Sequence, residues 1–540
     1  MNLKDALSVL SKSSPYAVAT ERSATVADEL DKIKSYLYIK TNIEEDFESL
    51  ILPLKDTEQK IIFLCGSSGD GKSEILTRYS QKAEYSHIQF HLDATHSFNP
   101  KLDAIATLDQ LFTHYKATNK PLVVGINLGM MANYAQEGAT EHDDIKSAMQ
   151  RHTAEGQNSE EITFLSFEDH KYSKFSFKHG KPHSEFANRF MKKLTQQPSA
   201  DDPNPIWELV LESEASNQNL KIVANYKLMA IESVQQTIVE MLMKARLAKD
   251  QFLTARSLLD FIHVLLVGDD YLFDNLFLSK NNELSERIMS FDPALIRTKN
   301  LDKFTLSLNL NLGDEKLSEF ITCIDQFGIK ELEVPASYIR LFYVLRDAEL
   351  GNNYHLQFSS DFKNKLLTEY ANILVAHRSY QNEKNESEKN VLSDFYKHTL
   401  FTALWRYINR SAPQLKNKQF LIANENEMLF STELKLLIDW QLISQYHSSD
   451  LMAFKALMKV NGKTIYPPLP VNINLYELLQ RLNLGYRPNK YDKSCVLLLD
   501  ELVEKIKIEM SKTDALIIID GSKTYEAEID GGLIEITGDN

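Results

Sequence analysis

The sequence is poor in the residues that mark several protein classes. It holds three cysteines, Cys65, Cys323 and Cys495, far apart and without a CxxC pair. Neither a disulfide framework nor a zinc site gains support, and a reducing cytoplasm is the expected location. Glycine (18) and proline (15) are scarce, which argues against fibrous or long disordered stretches. Cations are outnumbered: 60 Lys and Arg face 75 Asp and Glu, a net charge of −15. A protein that coats nucleic acid by bulk charge is disfavoured, because affinity for phosphate backbones depends on Lys and Arg; a local basic groove is not excluded. No apolar run approaches the ~18 residues of a membrane helix. The opening "MNLKDALSVLSKSSPYAVAT" has no long apolar core and no cleavage pattern, so neither a signal peptide nor membrane attachment is expected. HExxH, a dinucleotide fingerprint, a GxSxG elbow and a nuclease-type acid cluster are also missing.

What remains is a helix-rich chain of ordinary globular composition. Of its 540 residues, 43% are hydrophobic and 25% charged, enough for large cores; the length suggests roughly three or four domains. The patterning divides into a helical lead-in (1–55), an α/β core (56–195), a helical lid or subdomain (196–330) and a mixed, mainly α C-terminal region (331–540). In the core, "KIIFLC" (60–65), "HIQFHLDAT" (87–95), "PLVVGINLGMM" (121–131) and "ITFLSFEDH" (162–170) read as strands. Helical stretches at 71–83 and 101–117 alternate with the first three, which predicts a parallel sheet with crossovers. The end, "TDALIIIDGSKTYEAEIDGGLIEIT", predicts antiparallel strands turning at Asp520-Gly521 and Asp530-Gly531-Gly532. No internal repeat is visible.

The firmest motif is Gly66-Ser67-Ser68-Gly69-Asp70-Gly71-Lys72-Ser73, which fits GxxxxGK[ST] at every defined position. Glycines let successive N–H groups turn inward toward phosphate oxygens, and the following helix N-terminus adds partial positive charge. In this pattern Lys72 reaches the β- and γ-phosphates of ATP and the Ser73 hydroxyl ligates Mg²⁺. A strand feeds the loop and a helix leaves it, as the motif requires. The expected fold class is a P-loop NTPase, AAA-like, with a helical lid.

Hydrolysis also needs an acid that holds Mg²⁺ and orients water. Asp93, after the second strand, is the leading candidate, although "DATHSFNP" also reads as a capping-rich turn. Glu168 and Asp169 end another strand and compete with it. Asp500-Glu501 in "CVLLLDEL" has the right letters but reads equally as one face of an amphipathic helix, and Asp520 is explained by its turn. Asn127 ends "PLVVGIN" and suits a sensor of the γ-phosphate or attacking water, or a plain turn. Arg256 follows Thr254, an N-cap residue by type, at the start of an apolar helix where a lid arginine could touch nucleotide; Arg189 and Arg246 lack that position. "KHTLFTALWRYINRSAPQLKNK" (397–418) interleaves basic and aromatic residues, a pattern that can bind nucleic acid but more often marks an amphipathic helix.

Four segments together carry a family resemblance: "LSVLSKSSPYAVAT", "GSSGDGKSEILTRY", "VVGINLGMM" and "NLGYRPNKYDKS". The chain resembles the DptF family of DNA phosphorothioation-dependent restriction proteins over most of its length. The resemblance implies an ATPase subunit of an anti-phage defence complex that acts against DNA lacking the sulfur mark. It also implies DptG- and DptH-like partners and DNA contact through that complex. The nucleotide loop carries over onto Gly66–Ser73. The alternatives are a nucleotide-binding scaffold that does not hydrolyse and a small-molecule phosphotransferase.

Overall fold

The computed structural model describes all residues except 13–28, 95–102, 119, 173–174, 179, 250–252, 281–282, 331, 364, 381–385, 417, 447–451, 522, 531–532 and 539–540. The turn expected at Asp530-Gly531-Gly532, most of the capping-rich segment after Asp93 and much of the first resembling segment fall outside the described residues. The chain divides into two compact units, residues 1–176 with 182–363, and residues 177–181 with 364–540.

The first unit is built around a parallel sheet. Strands β1 (Ile61–Cys65), β2 (Gln89–His91), β3 (Leu122–Ile126) and β4 (Ile162–Ser166) lie in the order β2-β3-β1-β4. All pairings are parallel, with Ile61 opposite Leu122 on one side and Ile162 on the other. Every residue of β1 and β3 is buried. That is the continuous apolar run expected of a parallel strand covered on both faces.

Alternation along β1 separates the two covering layers. Ile61, Phe63 and Cys65 face helices α4 (Ala104–Ala117), α5 (Leu128–Glu137) and α6 (Asp143–Glu155), through Leu108, Phe112, Met131, Tyr134 and Met149. Phe63 stacks on Phe164 of β4 with ring centroids 5.0 Å apart. Ile62 and Leu64 face the opposite layer, made by α2 (Asn42–Ile51) and α3 (Lys72–Ser80) through Phe47, Ile51, Leu76 and Tyr79. The lead-in is therefore part of the sheet's own core rather than a separate domain.

The third strand is shorter than the apolar run that predicts it. Its last residues, Leu128–Met131, begin α5, because the Asn127 side chain accepts from the Met130 amide at 2.7 Å and caps that helix. A cap of this kind ends a strand where apolar continuity alone would extend it.

Behind the sheet the unit is helical. The elements used below are α1 (Glu29–Leu37), α7 (Glu185–Thr195), α8 (Ala255–Val267), α9 (Leu272–Leu278) and α10 (Pro335–Val344). The expected boundary at 330/331 moves to 363/364, so α10 belongs to this first unit. Two sets of contacts explain the shift. Phe342 packs on Phe304 and Phe320 at 5.2 and 5.7 Å between centroids. Arg340, buried, forms ion pairs with Asp274 on α9 and with Asp292.

The second unit is mixed α/β. Strands β5 (Gln419–Glu425), β6 (Met428–Glu433), β7 (Ala515–Asp520), β8 (Lys523–Asp530) and β9 (Leu533–Gly538) form an antiparallel sheet in the order β9-β8-β7-β6-β5. Asp520 pairs with Lys523 across the tight turn expected at Asp520-Gly521. Helices α11 (Thr402–Ile408), α12 (Ile473–Asn483) and α13 (Lys493–Met510) accompany it. Asp500 and Glu501 lie inside α13, the helical alternative of the sequence reading. No helix among the described residues is long and apolar enough to cross a membrane.

Candidate nucleotide site

The loop between β1 and α3 forms at the carboxyl edge of the sheet, where ligands of open α/β sheets bind. Gly69 and Gly71 both have positive φ, +87° and +104°, a conformation that costs other residues roughly 1–2 kcal/mol. Three internal hydrogen bonds shape the loop. The Ser67 amide donates to Asp70 Oδ2 at 2.7 Å. The Lys72 ammonium donates to the carbonyls of Gly66 at 3.0 Å and Ser67 at 2.8 Å, which lays its side chain across the mouth of the loop.

The helical part of the unit is pinned to this loop. Thr254 caps α8 through a capping box with Ser257, as its sequence position predicts. The next turn touches the loop: the Arg256 amide donates to the Gly69 carbonyl at 3.0 Å. A Cβ on Gly69 would stand 3.1 Å from Arg256 Cβ and 3.2 Å from Thr254 Oγ1. Gly69→Ala therefore meets both an unfavourable backbone angle and a packed neighbour. We expect it to lower stability by about 1–2 kcal/mol, read as an earlier urea midpoint, and to weaken nucleotide binding. An unchanged midpoint would show that this contact does not hold.

A cavity of about 450 Å³ opens beside the loop. Ser68 through Ser73 line it, together with Asp93 and Arg256. Asp93 follows β2, and the amide of its neighbour Ala94 donates to the Gly125 carbonyl of β3 at 2.8 Å. The structure thus brings Lys72, Ser73, Asp93 and Arg256 to one cavity. Asn127 is not among its lining residues and commits its side-chain oxygen to the α5 cap. Glu168 stands behind the loop, accepting from the Ser67 hydroxyl at 3.4 Å, and Asp169 accepts from the Lys171 amide in a turn. Arg189 donates to the Lys40 carbonyl at 3.1 Å; neither it nor Arg246 lines the cavity.

The other half of the cavity is apolar and was not legible as part of a site. Val9 and Leu10 come from the first turns of the chain, Leu37 and Ile39 from the end of α1, Phe186 and Phe190 from α7. Their sequence signal is helical spacing of apolar residues, which reads equally as ordinary core.

Charged groups close the rim beside this wall. Lys34 pairs with Glu74 at 2.7 Å. The Arg78 guanidinium lies 3.4 Å from the centroid of the Tyr38 ring, and the Tyr38 hydroxyl donates to Glu44 at 2.5 Å. Burial raises the Glu44 carboxyl above its ordinary range, opposed by the Tyr38 bond and by Arg78. Burial also pushes the Cys65 thiol up to about 12, which makes it an inert core residue rather than a nucleophile.

Serine hydroxyl and carboxylate are hard oxygen donors of the kind Mg²⁺ takes alongside phosphate oxygens. Ser73 and Asp93 fit that ion in type. Among the described residues there is no cluster of three or more His, Cys, Asp or Glu that could hold a metal. No protein-family model, curated protein or solved structure matches this chain.

Proposed function

We propose that the chain is an ATP-binding and ATP-hydrolysing subunit of a phosphorothioation-dependent DNA restriction complex that acts against unmodified DNA. The sheet is read as the P-loop NTPase kind, AAA-like, with the helices around α8 as its lid. The observation that carries the nucleotide part is the loop Gly66–Ser73, set between a fully buried parallel strand and a helix, with Lys72 and Asp93 on one cavity. The apolar wall of Leu37, Ile39, Phe186 and Phe190 suits the flat face of a nucleobase, and the loop suits its phosphates. Ser73 and Asp93 would hold Mg²⁺, which supplies charge neutralisation on the phosphates. Arg256, whose backbone is bonded to the loop, is read as the residue that couples the lid to nucleotide. The restriction role and the DptG- and DptH-like partners rest on the family resemblance.

A second reading, a nucleotide-binding scaffold that does not hydrolyse, is favoured by one observation: Asn127 is spent as a helix cap and stands off the cavity. Asp93→Asn separates the two. Under the hydrolytic reading this variant keeps ATP affinity within a few-fold while phosphate release falls about a hundredfold or more. Phosphate release is measured alone, with the neighbouring subunits, and with modified and unmodified DNA. ATP binding without release in any of these mixtures would establish the scaffold; an acceptor-dependent ADP burst without response to DNA would establish a phosphotransferase.

A further inference from the structure

The second unit carries a feature that nothing in the nucleotide site uses. Two segments some eighty residues apart, each unremarkable alone, close around one groove of about 860 Å³. From α11 and the turn after it come Trp405, Arg406 and Arg410; from the loop joining α12 to α13 come Tyr486, Arg487 and Lys490; Lys493 opens α13. All five cationic residues are exposed. The sole acid on the lining is Asp500, which accepts from the Tyr407 hydroxyl at 2.7 Å. Five cations against one acid, on a chain of net charge −15, is a local inversion of sign.

The groove's frame is fixed. The Trp405 indole donates to the Gln419 carbonyl at 3.0 Å, so its ring is held half-buried at the wall. Buried Asn409 clamps the end of α11 to β5: its amide donates to Gln419 O at 2.8 Å and its oxygen accepts from Leu421 N at 2.8 Å. On the opposite wall the Tyr486 hydroxyl donates to Asp492 at 2.8 Å, Asn489 donates to Tyr486 at 2.7 Å, and the Arg481 guanidinium lies 3.5 Å from the Tyr486 ring centroid. Preset aromatic rings with exposed cations at their edges are the two components of single-strand recognition. Bases stack on the rings, and Lys and Arg track the phosphates.

We propose that this groove binds single-stranded nucleic acid through its phosphodiester backbone and stacked bases. A lone phosphate or small anion would need one or two of these cations and no ring. An acidic peptide would use the cations and leave Trp405 and Tyr486 without a role. Duplex recognition calls for an element that enters a groove of the duplex, whereas these side chains line a concave wall.

The test uses the full chain carrying Trp207→Phe and Trp440→Phe, so that Trp405 is the reporter. Oligo(dT) and oligo(U) of about fifteen nucleotides are titrated by fluorescence anisotropy over a salt series, the two sugars deciding between DNA and RNA. Expected are quenching of Trp405 and a slope of log K on log salt of about −3, from four or five phosphate contacts at roughly 0.7 each. Arg406→Ala/Arg487→Ala/Lys490→Ala should weaken binding at least about tenfold and reduce the slope by about 2. Arg487→Gln alone should reduce it by about 0.7 and guards against misfolding of the triple variant. Lys72→Ala should leave oligonucleotide binding unchanged, which separates this groove from the nucleotide loop. Polyglutamate or inorganic phosphate competing as well as the oligonucleotides would overturn the proposal in favour of an acidic partner or a small anion. So would a duplex binding more tightly than its strand, or an unchanged salt slope in the charge variants.

Discussion

Under the proposed function, Lys72→Ala is expected to abolish nucleotide turnover and to weaken ATP binding by about ten- to a hundredfold, the loss of a charge-assisted hydrogen bond to phosphate. The position makes this the largest functional effect expected of any single change. Lys72 is buried, and its ammonium reaches across the loop to the carbonyls of Gly66 and Ser67. Those carbonyls can turn to water when the ammonium goes, so the fold should survive. Binding is measured by isothermal titration with MgATP, turnover by phosphate release, and folding by the thermal midpoint. In cells the variant should lose restriction of unmarked DNA. A variant with full turnover or full restriction would remove the loop from the mechanism.

The largest effect on stability is expected at Arg340, which does not line the loop's cavity. Its guanidinium donates to both oxygens of Asp292, at 3.0 and 2.7 Å, and to Asp274 at 2.8 Å; Ser337 completes the Asp274 site at 2.8 Å. The three charged residues are 7–8% exposed. Arg340→Ala leaves two carboxylates buried without their cation, which costs about 3–5 kcal/mol. Replacing the whole triad, Arg340→Met with Asp274→Asn and Asp292→Asn, should recover much of that loss.

The pH dependence has a definite sign. Burial raises the Asp274 carboxyl in the folded chain, against the opposing bonds from Arg340 and Ser337. The folded state then binds more protons than the unfolded one between the two pKa values. Stability from this group falls as pH rises through that window and is level above it. Without Arg340 the folded value rises further and the window widens upward. The deficit of Arg340→Ala should therefore be smallest near the unfolded carboxyl pKa and grow toward neutral pH. Urea unfolding at several pH values checks this, and a deficit independent of pH would contradict it.

Local signals in the sequence were sufficient for the strand, loop and helix around Gly66–Ser73, because an apolar run, glycines and a helix start all act within a few residues. The Thr254 cap was legible for the same reason. The end of β3 was misread because apolar continuity through Met131 outweighed the single capping Asn127. The domain boundary was misplaced because the bonds that fix α10 join residues 48 and 66 positions apart, beyond the reach of any periodicity. The cavity's apolar wall stayed hidden likewise: Val9 and Phe186 meet only after the sheet and its helices have packed. One half of the basic groove is legible as the interleaved pattern of 397–418; the other, "GYRPNKYDK", shows its part only opposite Trp405.

One hydrogen bond has a mechanical consequence. The carbonyl of Gly69 holds the amide of Arg256, and that amide lies in the first turn of α8. The loop and the helix are joined there. A ligand that rotated the Gly69–Asp70 peptide would break this bond or move the start of the helix with it. Motion in the Gly66–Ser73 loop would then act at the short end of a lever whose long arm is α8, 13 residues in length.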